Sequence, residues 1–175
     1  LVIYFAEPGH GNVLIEDCVA HHIEGIYREW GNLSGIPEWM DYESPDDDGH
    51  RASAGIAVTG QGRNITVRDC DIFQTSWGFW VTGENVTLDG VNVHDCYVFN
   101  SSPHPALLSA KNSVMENCVF DAPGYHAFAG TMGIMLGNPL GLTIRNCTFR
   151  NQPDSGSHDE GGIDFEANGD GCVID

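Results

Sequence analysis

The sequence predicts an all-β solenoid of short stacked coils. Three observations support it: a seven-residue frame that returns five times, strand-like alternation inside each copy, and no ten-residue window with the i, i+3, i+4, i+7 pattern of a helix. The frame is built around cysteine. Asn12-Val13-Leu14-Ile15-Glu16-Asp17-Cys18 matches Asn64-Ile65-Thr66-Val67-Arg68-Asp69-Cys70. Gly90-Val91-Asn92-Val93-His94-Asp95-Cys96, Asn112-Ser113-Val114-Met115-Glu116-Asn117-Cys118 and Gly141-Leu142-Thr143-Ile144-Arg145-Asn146-Cys147 take the same frame. Asp or Asn precedes Cys each time, at Cys-to-Cys spacings of 52, 26, 22 and 29 residues. Cys172 stands apart, in a segment that begins a sixth copy at Gly171.

A second element separates the copies: Gly55-Ile56-Ala57-Val58, Gly78-Phe79-Trp80-Val81, Ala106-Leu107-Leu108-Ser109, Gly133-Ile134-Met135-Leu136 and Gly162-Ile163-Asp164-Phe165. Both elements alternate with period two, so Ile65 and Val67 point inward and Thr66 and Arg68 outward. A coil of such strands cannot bury its own inner face, but coils stacked about 4.8 Å apart bury a continuous core. Asp or Asn at every level suits a tight left-handed turn. Cysteine at every level suits a small apolar filler, so the six cysteines are expected to be reduced and packed rather than joined in three disulfides. Equivalent cysteines one coil apart fall near disulfide distance all the same.

Composition narrows the function classes. The 175 residues carry 25 acidic and 7 basic side chains, a formal charge of −18, which repels nucleic acid and anionic lipid. No apolar stretch reaches the length of a membrane span. Glycine is frequent, 22 residues, as a fold with a turn at every level requires. Leu1–Phe5 has no basic leader, and the chain reads as a single unit of about five to six coils from a longer solenoid, residues 1–175, with a loop insertion at 27–54. Open strand stacks at its ends suit end-to-end stacking with flanking coils or a second copy.

The five Asp/Asn-Cys coils resemble right-handed parallel β-helix proteins, the group that contains pectate lyases, polygalacturonases, alginate and chondroitin lyases and phage tailspikes. The resemblance covers nearly the whole chain. It implies a right-handed single-stranded parallel β-helix, a turn ladder made of Asp17, Asp69, Asp95, Asn117 and Asn146, an extracellular or cell-surface location, and a polysaccharide or glycan as partner.

Loop lengths locate the expected working face. From Cys to the next second element the chain takes 37, 8, 10, 15 and 15 residues, and insertions in solenoids cluster on one face, often the binding face. The excursions carry Trp30, Trp39, Arg51, Trp77, His104, Tyr125, His126 and His158, with His21, His22 and His50 assigned to them as well. Aromatic rings stack on sugar C–H patches, so with Trp80 these residues form an expected sugar cleft. A metal site and plain packing of the insertion onto the barrel are the competing readings.

The sharpest candidate is His158-Asp159-Glu160-Gly161-Gly162-Ile163-Asp164-Phe165-Glu166. With Ile163 and Phe165 inward, Asp164 and Glu166 point outward, about 6.6–7 Å apart on a strand. Paired carboxylates of glycosidases lie roughly 5 to 9.5 Å apart. Other coils hold Ala57, Trp80, Leu108 and Met135 at the place of Asp164, so one coil breaks an apolar stripe with a carboxylate. The same acids suit a calcium site drawing on Asp159, Glu160, Asp164 and Glu166 oxygens, or a solvated acidic strand. Hydrolysis by Asp164 and Glu166, with His158 beside them, stands slightly ahead of β-elimination. Elimination needs a base such as His126 or His158 and a cationic clamp such as Arg51 or Arg150. A non-catalytic glycan-binding, adhesive or structural solenoid is the main alternative.

Overall fold

The computed structural model describes residues 1–23, 54–75, 77–96, 99–101, 110–121, 131–152, 160–165 and 168–175. Seventeen strands fill them, with no helix among the described residues. The first coil runs β1 (Val2–Phe5), β2 (Gly11–Glu16), β3 (Val19–Ile23), and the second β4 (Ala54–Gly60), β5 (Arg63–Arg68), β6 (Asp71–Thr75). The third is β7 (Trp77–Val81), β8 (Glu84–Asp89), β9 (Asn92–His94), and the fourth β10 (Phe99–Ser101), β11 (Val114–Glu116), β12 (Val119–Asp121). The fifth is β13 (Thr131–Leu136), β14 (Thr143–Arg145), β15 (Thr148–Arg150), and β16 (Glu160–Phe165) with β17 (Val173–Ile174) begins a sixth.

Every pairing is parallel and joins the same strand of successive coils. Three walls result: sheet A (β1-β4-β7-β10, continued by the pair β13-β16), sheet B (β2-β5-β8-β11-β14-β17) and sheet C (β3-β6-β9-β12-β15).

A five-residue step builds sheets B and C. Left-handed residues fall at Asn64, Asp69 and Gln74, with φ of 53°, 50° and 49°, and between them Ile65, Val67, Cys70 and Ile72 are buried while Thr66, Arg68, Asp71 and Phe73 face out. The same corners recur at Asn12, Asp17 and His22, at Asn85, Gly90 and Asp95, at Asn112 and Asn117, and at Gly141, Asn146 and Asn151. Asn, Asp and Gly dominate because a left-handed corner costs an ordinary L-residue about 1–2 kcal/mol.

This step corrects the third copy of the frame. Ile65 pairs with Val86 and Arg68 with Asp89, so Asn85–Val91, not Gly90–Cys96, is the equivalent of Asn64–Cys70. A slip of one five-residue step keeps every inward and outward assignment, so alternation alone does not reveal it. The column of small core residues is therefore Cys18, Cys70, Val91, Cys118 and Cys147, while Cys96 sits one corner further on, its Sγ 3.4 Å from Thr75 Oγ1. Asp95 likewise leaves the expected turn ladder and joins the corner of His22, Gln74 and Asn151.

The Asn12, Asn64 and Asn85 corners form a side-chain ladder, whereas the expected Asp17, Asp69, Asn117 and Asn146 series forms one only between Asn117 and Asn146, because Asp17 and Asp69 both lack a donor and Gly90 interrupts it. Asn64 donates to Asn12 at 3.0 Å and Asn85 to Asn64 at 3.2 Å on one edge. Asn146 donates to Asn117 at 2.6 Å and Asn117 to Asp89 at 2.7 Å on the next. Cysteine fits behind a corner because its thiol reaches the carbonyl two residues back: Cys18 to Glu16, Cys70 to Arg68, Cys118 to Glu116 and Cys147 to Arg145, at 3.1 to 3.3 Å. All six thiols are free; Cys70, Cys96 and Cys118 are buried as expected, Cys147 and Cys172 are half-buried, and Cys18, in the first coil, is exposed rather than packed. Cys172 starts the sixth copy beside Leu142, since Val173 pairs with Thr143.

Inside, Ile56, Ile65, Ile72, Phe79, Leu88, Met115, Phe120 and Ile134 are fully buried in one continuous cluster. Phe120 stacks on Phe149 with centroids 5.0 Å apart and meets Phe79 at 5.9 Å. Each such side chain contributes about 1.5–3 kcal/mol through burial. A glycine lies near the start of β4 and of β13 for a steric reason. A Cβ at Gly55 would lie 2.5 Å from the Ile72 side chain, and one at Gly133 2.5 Å from the Gly162 carbonyl and 2.8 Å from Phe149.

In the fourth coil the strand that pairs with β7 is Phe99–Ser101, with Phe99 opposite Trp77 and Ser101 opposite Phe79. That is earlier than the expected Ala106–Ser109, which lies outside the described residues. The insertion at 27–54 also lies outside them except for Ala54, the first residue of β4.

Candidate functional site

The outward face of sheet A differs from the other two walls. Ala57 on β4 pairs with Trp80 on β7, and Met135 on β13 pairs with Asp164 on β16, two pairs at outward positions on either side of β10. Ala57 and Met135 are each 6% exposed and Met132 1%, although none belongs to the core cluster. Ala57 and Met135 are therefore covered, Trp80 is half-buried, and Val2 and Tyr4 on β1 are open to solvent. Beside Met135, β16 carries the carboxylate of Asp164. Its Oδ2 is sealed from solvent and has no hydrogen-bond partner among the described residues. Ile163 and Phe165 pack against the core on either side, which turns Asp164 outward. A buried carboxylate oxygen without a donor costs on the order of 1–3 kcal/mol, so nothing in the scaffold calls for one there.

The other walls are electrostatically closed. On sheet B, Arg68 bridges Glu16 and Arg145 donates to Glu116 at 2.7 Å. On sheet C, Arg150 and Asn151 each donate to Asp121 at 2.7 Å, which holds the Asp121 carboxyl below the usual carboxylate range.

A family model described as "Right handed beta helix region" matches residues 46–175. The chain belongs to the right-handed β-helix family. No curated protein and no solved structure matches it. The parallel, coil-by-coil pairing agrees with this family, and the expected right-handed β-helix fold stands.

Of the expected site residues in this β-helix, the described structure places Asp164 and Trp80 on the outer face of sheet A, and the backbones of Trp77 and Glu160 on β7 and β16. Glu166, His158, Asp159, Trp30, Trp39, Arg51, His104, Tyr125 and His126 lie outside the described residues, as do His50 and Leu108. His21 and His22 do not belong to an excursion: both are on β3, in the wall of sheet C. The long gap that follows Cys18 begins only after this strand, so position near a gap misassigned them. Arg150 also sits on that wall, held by Asp121, and is not a free clamp. Among the described residues, no group of three or more His, Cys, Asp or Glu converges as a metal site, and no helix is long and apolar enough to cross a membrane.

Two features escaped sequence reasoning. The first is an outward column on sheet C. His21 stacks on Phe73 and Phe73 on His94, with centroids 5.0 Å apart in both pairs. His94 Nδ1 lies 2.8 Å from Asp95 and Nε2 3.4 Å from Asp71. The five-residue step would have aligned these rings; the misplaced third copy hid them. The second is a contrast among the thiols. Burial pushes Cys96 up to about 11, whereas the hydrogen bond from the Cys118 thiol brings Cys147 down to about 7 and leaves Cys118 raised. A cavity of about 340 Å³ lies in the first coil, lined by Ile15, Cys18, Ala20, His21 and Ile56 among others, far from Asp164.

Proposed function

We propose that this β-helix is carbohydrate-active and hydrolyses a polysaccharide bound along the outer face of sheet A, with Asp164 and Glu166 as the paired carboxylates. The observation that carries the reading is Asp164 itself: a carboxylate beside the covered Met135, with one oxygen sealed and unmatched by the scaffold. Rule-breaking of this kind concentrates at functional sites. Trp80 supplies an aromatic surface at an outward position of β7, and Trp77 lies on the same strand. In hydrolysis one carboxyl group protonates the leaving glycosidic oxygen, and the other either activates water or attacks the anomeric carbon. Calcium bound by Asp159 and Glu160 belongs to this reading as a means of holding an acidic sugar against a chain of charge −18. A polysaccharide substrate places the protein outside the cell or on its surface.

Hydrolysis is favoured over β-elimination by the engagement of Arg150 with Asp121, which removes one of the two candidate clamps from enolate stabilisation. The test is a panel of neutral and acidic polysaccharides assayed for reducing-end release and for unsaturated uronate. The expected result is reducing ends without unsaturated product, lost in Asp164→Asn and in Glu166→Gln. Unsaturated product would establish elimination, and glycan binding with neither product would establish a non-catalytic solenoid.

A further inference from the structure

Cys118 and Cys147 occupy the same inward position on adjacent coils. Val119 pairs with Thr148, and the Thr148 amide donates to the Cys118 carbonyl at 2.9 Å. Their sulfurs take the same orientation, each set beside the carbonyl two residues back, Cys118 at 3.2 Å from Glu116 and Cys147 at 3.3 Å from Arg145. In-register parallel neighbours have Cα atoms about 4.8 Å apart, inside the roughly 4.4–6.8 Å span of disulfides. Val91 interrupts the column below Cys118, so oxidation cannot pass down to Cys70. Cys96 faces Thr75 and is out of line.

We propose that Cys118 and Cys147 are a site of reversible oxidative modification, closing under peroxide into a disulfide that staples the fourth coil to the fifth. The reaction balances in two steps. The Cys147 thiolate attacks one peroxide oxygen and breaks the O–O bond; the departing hydroxide takes a proton and leaves as water, with Cys147 as the sulfenic acid. The Cys118 sulfur then attacks the Cys147 sulfur and expels hydroxide, which takes the Cys118 proton and leaves as a second water. Two thiols lose two electrons and one peroxide gains them. Cys147 is the attacking group because its thiol is acidified by Cys118, and Cys118 resolves. Equivalent Cβ atoms in a ladder are spaced like the strands, whereas a relaxed disulfide brings them to about 3.8 Å. Closure must draw the two corners together by about 1 Å, and a strained bridge of this kind is readily reduced.

The test is peptide mapping of the reduced, folded chain after one equivalent of hydrogen peroxide at neutral pH, with free thiols then alkylated. The expected product is a Cys118–Cys147 cross-linked peptide, lighter than the two thiol peptides by two hydrogens. It forms before any Cys18–Cys70 link and returns to thiols with dithiothreitol. Cys118→Ser, which keeps a hydrogen-bonding group beside Cys147 but has no resolving sulfur, should leave Cys147 as a sulfenic acid trapped by dimedone. Recovery of both cysteines as alkylated thiols would overturn the proposal. So would a Cys18–Cys70 link that forms first, or a Cys118→Ser chain, folded by circular dichroism, whose Cys147 fails to take dimedone.

Discussion

Sheets B and C and the outer face of sheet A are built from one repeat and treat polar groups in opposite ways. On sheets B and C outward charge after outward charge has a partner one coil away: Arg68 with Glu16, Arg145 with Glu116, Arg150 with Asp121, Asn92 with Asp71. Corner amides hydrogen-bond up the stack as well. On sheet A the outward Ala57 and Met135 are apolar and covered, and the Asp164 carboxylate that pairs with Met135 has a sealed oxygen with no described partner. The first two walls are scaffold, made repetitive so that each level satisfies the next. The third carries the departure from repetition, and chemistry is sought there.

The comparison can be broken at several levels. Phe120→Ala strikes the core shared by all three walls, since Phe120 lies between Phe79 and Phe149. It should cost about 3–5 kcal/mol in a denaturant titration, the largest effect of any single change considered. Asn117→Ala strikes a scaffold corner with φ of 55° and two ladder hydrogen bonds. A loss of about 2 kcal/mol is expected, with Asn117→Gly recovering much of it because glycine accepts the left-handed corner. A loss no greater for alanine than for glycine would remove the corner from the account.

On sheet A the sign should reverse. Asp164→Met continues the column of Met135 and removes an unmatched oxygen, so the chain should gain about 1 kcal/mol by the same titration while sugar release disappears. Smallest of all is Glu16→Gln at the solvent-exposed bridge to Arg68, expected to leave the melting midpoint unchanged at moderate salt. Acid titration sharpens the contrast further. The Asp121 carboxyl is held low by Arg150 and Asn151, so its contribution is complete above the unfolded value of about 3.9 and disappears as pH falls through the folded value. Asp121→Asn should therefore lower stability slightly near neutrality, where the contribution is complete, and flatten the fall through the acid range, so that the two chains converge at the lowest pH.

Much of the fold was legible in the sequence because its cause is repetitive. Asx before Cys marks a left-handed corner followed by an inward thiol, and four of the five frames align as the sequence predicts. The third frame misaligned because each five-residue step preserves inward and outward alternation; only the count of three corners per coil distinguishes Gly90 from Asp69's neighbours one step on. The outward place of Asp164 was legible for the same reason of parity. The sealing of its oxygen was not, since parity sets which way a side chain points and not how deeply its atoms are buried. The stacked His21, Phe73 and His94 column was hidden by the register error, and the thiol contrast by its dependence on a contact between coils.

The central claim is that Asp164 serves chemistry rather than the scaffold. The most direct measurement is reducing-end release from the cognate polysaccharide by the native chain and Asp164→Asn, with melting midpoints recorded on the same samples. The account predicts release by the native chain, none by Asp164→Asn, and a variant midpoint equal to or above the native one. Full release by Asp164→Asn, or a loss of release accompanied by a large fall in its midpoint, would contradict it.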